Sequence, residues 1–255
     1  MRIEGDSQLN SPREAFVTTE LADAVERLYR IFAVYPLPKY TDPCLHCHSS
    51  EEEEMLRSKP LQELAWGELK DYANDALLVW GDILVFKHFL PRIFELYMTV
   101  ANPSLEISDP EIIFSKFRHG QWRTWPRAEQ DAVEVFLRAV WDSVLKHPPL
   151  DESYVDIESW ICAISQSEDD LTPYLRQWEK VESRPACLAL SGFLLNSAIT
   201  RSKKHGRNEF WADRDNQYVQ LQSWVKSTAV REKLTRASEK WPEIDEFKAA
   251  ISIAQ

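Results

Sequence analysis

Along most of this chain the apolar residues return every three or four positions, and no stretch alternates in twos for the length of a strand. Val17, Leu21, Val25, Leu28 and Phe32 share one face of a helix. Ser11-Pro12-Arg13-Glu14 opens it with a cap, a proline at the first helical position and a capping-box glutamate. It runs to Ala33 and is closed by Tyr35-Pro36-Leu37-Pro38, because the residue before a proline disfavours helix. Ser50 then caps an acidic first turn, Glu51 to Glu54, which Pro60 keeps short. Leu69, Tyr72, Ala73, Ala76, Leu77 and Trp80 form the cleanest stripe and predict a helix over 69–80, stopped by Gly81. Asp82 caps the next helix, which carries Ile83, Phe86, Phe89 and Leu90; Pro91 predicts a kink or break before Ile93, Phe94 and Tyr97.

Ser108-Asp109-Pro110-Glu111 opens a short helix to about Arg118, and Pro126 a long one with Val133, Phe136, Leu137, Val140 and Val144 on one face. Residues 147–156 form a proline- and acid-rich connector, so the pattern divides the chain into an N-terminal helical part, 1–146, and a C-terminal part, 157–255, with one continuous domain as the alternative. Beyond the connector, helices are predicted near 157–166, 170–180, 185–200, 213–226, 229–239 and 242–253. Helices apolar on one side must stack to bury that side. The fold class is therefore all-α, as an irregular multi-helix stack or a HEAT-like solenoid of helical pairs, although Trp125-Pro126 and Trp241-Pro242 are the only echo of a repeat.

Composition narrows this further. Only 6 of 255 residues are glycine, well below the usual ~7%, which argues against β-turn-rich folds, Rossmann sheets and phosphate-cradling loops. With 41 acidic against 30 basic residues the net charge is −11, which repels a phosphate backbone and steers toward a basic partner. No nucleic acid and no membrane are expected as partners. The N-terminal residues lack the apolar stretch of a secretory signal, and no apolar run approaches the ~18 residues of a membrane span, so the expected location is the cytoplasm. Four cysteines are too sparse for a disulfide scaffold at this length.

The most distinctive string is Cys44-Leu45-His46-Cys47-His48. Its letters match a haem c attachment site, but that chemistry needs export. Two thiolates two residues apart with imidazoles beside them suit zinc, so Cys44, Cys47, His46 and His48 are the candidate metal ligands. Neither a second C-x-x-C nor a spaced histidine pair completes a four-ligand site, and the histidines flank Cys47 tightly. A redox pair is a further reading, and two cysteines packed in a loop the plainest. Familiar catalytic patterns such as H-E-x-x-H, G-x-S-x-G, G-x-G-x-x-G and Walker A are missing, so no catalytic residue is assigned and no cofactor is expected apart from the zinc alternative. Asp213-Arg214-Asp215-Asn216 reads as helix capping, the basic run 201–207 as a solvated loop and His88 as a half-buried packing residue. Ten tryptophans are expected to wedge helices apart, some of them standing out as binding anchors.

The set Cys44-x-x-Cys47, Trp80-Gly81-Asp82, Phe89-Leu90-Pro91-Arg92 and Trp122-x-x-Trp125-Pro126 resembles a group of uncharacterised bacterial all-helical proteins, over residues 40–145. The resemblance implies no enzymatic activity. Small acidic bacterial proteins include immunity proteins that neutralise toxins, and this analogy of class completes the expectation. It is a non-enzymatic protein-binding module that covers a basic, nuclease-type toxin, with Glu51, Glu52, Glu53, Glu54, Asp151 and Glu152 as candidate contacts.

Overall fold

The computed structural model describes residues 17–99, 108–148, 157–197, 199–200 and 209–254. Among these the chain is all-α, with no strand and two isolated β-bridges. The helices are α1 (Thr19–Phe32), α2 (Ser50–Arg57), α3 (Trp66–Asp75), α4 (Ile83–Thr99), α5 (Pro110–His119) and α6 (Arg127–Lys146). They continue as α7 (Ile157–Ser167), α8 (Thr172–Lys180), α9 (Arg184–Asn196), α10 (Asp215–Val225), α11 (Thr228–Lys240) and α12 (Asp245–Ile253). Short 3-10 turns at Leu61–Glu63, Trp122–Thr124 and Glu209–Trp211 have no counterpart in the apolar periodicity.

Local rules explain most of the boundaries. Thr18 caps α1 through its side chain, and Ser49, one residue earlier than expected, forms a reciprocal capping box with Glu52. α1 thus starts later than the helix expected from Ser11, with Val17 ahead of it, because Thr18 is extended and caps it; Ser11 itself lies outside the described residues. Asp82 Oδ1 accepts from the amides of Leu84 and Val85 at the start of α4, as expected of a cap. Two expectations are corrected. Pro91 does not break its helix: α4 runs through it, with the proline buried in the core. The stripe over 69–80 is not one helix. α3 ends at Asp75, Ala76 is extended, and Leu77 takes a left-handed φ of 65°.

Packing follows an irregular bundle rather than a row of repeats. A solenoid places each unit against its sequence neighbours, whereas α1 lies against α4 and α6, α5 against α7, and α9 against α12. One apolar core runs from Leu21 in α1 to Ala254 after α12. Nine of the ten tryptophans are buried and Trp241 is half-buried, so they serve as wedges and none stands out as an anchor. α4 and α6 are also joined by charge. Lys87 Nζ lies 2.7 Å from Glu129 Oε2, both side chains are buried, and the Tyr35 hydroxyl donates to the other Glu129 oxygen. The amine sits over the rings of Tyr35 and Trp125, which supply the solvation that water would otherwise give. No described helix is long and apolar enough to cross a membrane.

Candidate functional site

Two loops, residues 41–48 before α2 and 76–81 after α3, lie side by side. The Cys44 amide donates to the Val79 carbonyl at 2.9 Å and the Gly81 amide to the Asp42 carbonyl at 3.2 Å, with a β-bridge between Pro43 and Trp80. At the base of the second loop the Asp75 carbonyl accepts from the amides of Leu78, Val79 and Trp80, which closes the end of α3. Gly81 has a φ of +73°, and a Cβ there would meet Val85 at 3.0 Å and the Thr41 carbonyl at 3.1 Å. A larger residue there would be strained by the φ and would have to push these neighbours back.

Side chains pin the pair from below. Trp80 Nε1 donates to Thr41 Oγ1, which donates in turn to Glu53 Oε1; the Thr41 amide donates to the same oxygen at 2.7 Å. Arg57 bridges Glu53 to the Pro38 carbonyl. The His48 ring packs on Trp80, centroids 4.2 Å apart, and Tyr72 meets the indole edge-on. His48 Nε2 lies 3.0 Å from Asp75 Oδ2 and Nδ1 lies 3.6 Å from Glu52 Oε2, and neither contact has hydrogen-bond geometry. Two non-glycine residues, Asp42 and Leu77, are held at positive φ, a conformation that costs about 1–2 kcal/mol each and persists only where the surroundings over-determine it.

What the anchors leave outside includes several aliphatic side chains. Leu45 is 73% exposed, Leu78 54%, Val79 41%, and Leu84 in the first turn of α4 53%. Asp42 and Asp82 are exposed on either side of the loops, and Asp75 is half-exposed beneath them. Next to Leu78 opens a cleft of about 610 Å³ whose wall includes Asn74, Asp75, Glu111 and Lys116. Lys116 is buried and donates to the Asn74 carbonyl at the end of α3; burial pulls its amine down to about 8, against the opposing pull of Asp75. That hydrogen bond makes it a helix cap supplied by a neighbouring helix.

The residues singled out from sequence separate here. Of the four glutamates expected as partner contacts, Glu53 is buried and consumed by Thr41 and Arg57, and Glu52 completes the capping box, so both serve the fold. Glu51 and Glu54 are exposed. Asp151, Glu152 and the 201–207 run lie outside the described residues. Within Cys44–His48 the side chains diverge: His48 turns inward, His46 and Cys47 are exposed and Cys44 is half-exposed. Among the described residues no group of three or more His, Cys, Asp or Glu side chains is arranged to hold a metal ion. The neighbouring His46 amide and then Cys47 lower the Cys44 pKa, while Cys44 raises that of Cys47.

Sequence reasoning missed the apolar tip, because Leu45 was read only as spacing between cysteines, and Leu78 and Val79 were assigned to the idle side of a helix. Asn74-Asp75 was the available signal, since both side chains compete for backbone hydrogen bonds and favour helix ends. Compared with family models, with curated proteins and with solved structures, the chain matches none of them.

Proposed function

We propose that this protein is a non-enzymatic binding module that presents the double loop to a basic protein partner. The observation that carries the reading is that Leu45, Leu78, Val79 and Leu84 are all exposed, on two loops tied to each other and on the helical turn that follows, with Asp42 and Asp82 exposed nearby in sequence. Exposed apolar residues scattered singly need no explanation, but a cluster on a rigid support is an interaction surface. Rigidity matters because a preformed loop loses little conformational entropy when it docks. These aspartates and the net charge of −11 set the sign of the partner. In its narrower form the reading is a cytoplasmic immunity protein covering the phosphate-binding groove of a nuclease-type toxin, supported by that charge alone.

The test uses the full chain as bait in a lysate of its native host, followed by purification of the captured protein and titration against two baits. A basic partner is expected, and Leu45→Asp with Leu78→Asp should weaken its binding by about 30-fold or more, the size of a 2 kcal/mol hot spot. An acidic partner, or undiminished affinity in the double variant, would overturn the reading.

A further inference from the structure

The Cys44–Cys47 segment is a tight turn: the amides of Cys47 and His48 both donate to the Cys44 carbonyl at 2.9 Å. A turn closed from residue i to i+3 holds its end Cα atoms within about 7 Å, which covers the ~4.4–6.8 Å that a disulfide spans. Both thiols are free, and solvent touches both. His48, next to Cys47 in sequence, packs on Trp80 and beside Asp75, and His46 is exposed. The remaining cysteines, Cys162 in α7 and Cys187 in α9, are buried in the core and provide an internal contrast.

From this geometry we propose that Cys44 and Cys47 form a reversible dithiol–disulfide site that exchanges with low-molecular-weight disulfides, glutathione disulfide being the representative oxidant. The proposal rests on the turn and stands whether or not the loop binds a protein. In the first step the Cys44 thiolate attacks one sulfur of glutathione disulfide; the S–S bond breaks, a Cys44–glutathione mixed disulfide forms and one glutathione leaves as thiolate. Attack by Cys47 first would give the same disulfide by the same exchange. Cys47 then gives its proton to solvent and attacks Cys44 Sγ, expelling the second glutathione. The protein loses two electrons and two protons, and the oxidant becomes two thiols. Excess reduced glutathione reverses both steps.

Intact mass after acid quenching, across a series of reduced-to-oxidised glutathione ratios, tests this on the full chain. The wild type should lose two hydrogen atoms in mass, keep no glutathione, and lose two of the thiols that alkylate rapidly in the native state; dithiothreitol should restore them. Cys47→Ser should stop at one bound glutathione and Cys44→Ser should form no intramolecular disulfide. Both positions are solvent-facing, and circular dichroism checks that the variants fold. A wild type that stops at glutathione adducts overturns the proposal, as does one that stays fully reduced or loses the same two hydrogens in the Cys44→Ser/Cys47→Ser double variant. Stoichiometric zinc that shields both thiols until a chelator removes it would overturn it too.

Discussion

The double loop of residues 41–48 and 76–81 and the loop at 168–171 between α7 and α8 are both irregular backbone crossed by many hydrogen bonds, but the bonds run differently. In the α7–α8 loop the backbone carbonyls and the Glu168 side chain face inward, while the Asp169 and Asp170 side chains stay in solvent. The Ser167 carbonyl accepts from Trp122 Nε1, the Glu168 carbonyl from Arg214, and the Asp169 carbonyl from Gln217, while the Leu171 amide donates to Gln220. The Glu168 side chain is held by Arg123 and Tyr174. That segment ties α5, α8 and α10 together, and its chemistry is used up in doing so. In the double loop the polar anchors Thr41, Trp80 and Glu53 also point inward, yet Leu45, Leu78 and Val79 are left in solvent. A loop whose backbone and central side chain are satisfied internally is a joint; one that is pinned and still exposes apolar side chains leaves a surface uncovered.

The sharpest way to break this comparison is to separate anchor from tip. Trp80 is 2% exposed, holds Thr41 and stacks with His48, so Trp80→Ala should cost about 3–5 kcal/mol by chemical denaturation. Leu45→Ser with Leu78→Ser should change stability by no more than about 0.5 kcal/mol each way. Equal losses from both variants would mean that the tip is part of the core.

How much of this was legible in the sequence follows from the range of the interactions involved. Caps, prolines and three-to-four spacing act within a few residues, which is why α1, α5, α6 and the six C-terminal helices lie near their expected places. The burial of Trp80 followed from the stripe, but its place on a helix did not. α3 stops because Asp75 closes a loop with three downstream amides and Lys116, 42 positions beyond Asn74, caps its end. Glu53 was read as solvent-facing for the same reason, since its partner Thr41 comes from a loop with no periodicity. The joint at Glu168 was invisible: Arg123 and Arg214 each stand 45 or more positions away.

Lys116 links the two regions, since its amine holds the base of the double loop while α5 packs on α7. Its folded pKa of about 8 lies below the 10.5 of the unfolded side chain. Between these values the unfolded chain binds more protons than the native one, so this contribution to stability rises as pH increases through about 8. The full rise is on the order of 3 kcal/mol, truncated in practice because buried Cys162, Cys187 and Tyr72, whose folded pKa values are raised, lose stability over the same range. Subtracting the curve of Lys116→Met isolates it. The difference between wild type and variant should climb from about pH 8 to 10; a flat difference would mean that the amine is solvated and the loop base looser than the hydrogen bond implies.

Glu168 tests the joint by itself. Burial raises its carboxyl pKa despite Arg123 and Tyr174, so part of what the pairing gains is spent on desolvation. Glu168→Ala leaves the buried Tyr174 hydroxyl without its acceptor and should cost about 2 kcal/mol, while partner affinity stays within twofold of the wild type. Lost affinity at unchanged stability would move the binding surface to α7–α8 and cancel the distinction between joint and tip.

The smallest effect concerns the charge around the tip. If the carboxylates steer a basic partner, its association rate should fall about tenfold or more between low and high salt while the dissociation rate changes little. Reversing all four glutamates of α2 would confound steering with folding, because Glu52 closes the cap and Glu53 holds Thr41. The informative variant is Glu51→Lys with Glu54→Lys, both exposed and only a few residues beyond Cys47. Glu51 also lies in the first turn of α2, where a cation opposes the helix dipole at about 0.3–1 kcal/mol, so the melting point should drop slightly whatever the partner does. The association rate should fall two- to threefold at low salt and converge with that of the wild type at high salt, where surface charges are screened beyond a few ångströms. A rate unchanged at low salt would remove α2 from the steering field and leave Asp42, Asp75 and Asp82 as its source. Binding that ignores salt altogether would leave the apolar tip as the sole determinant of recognition.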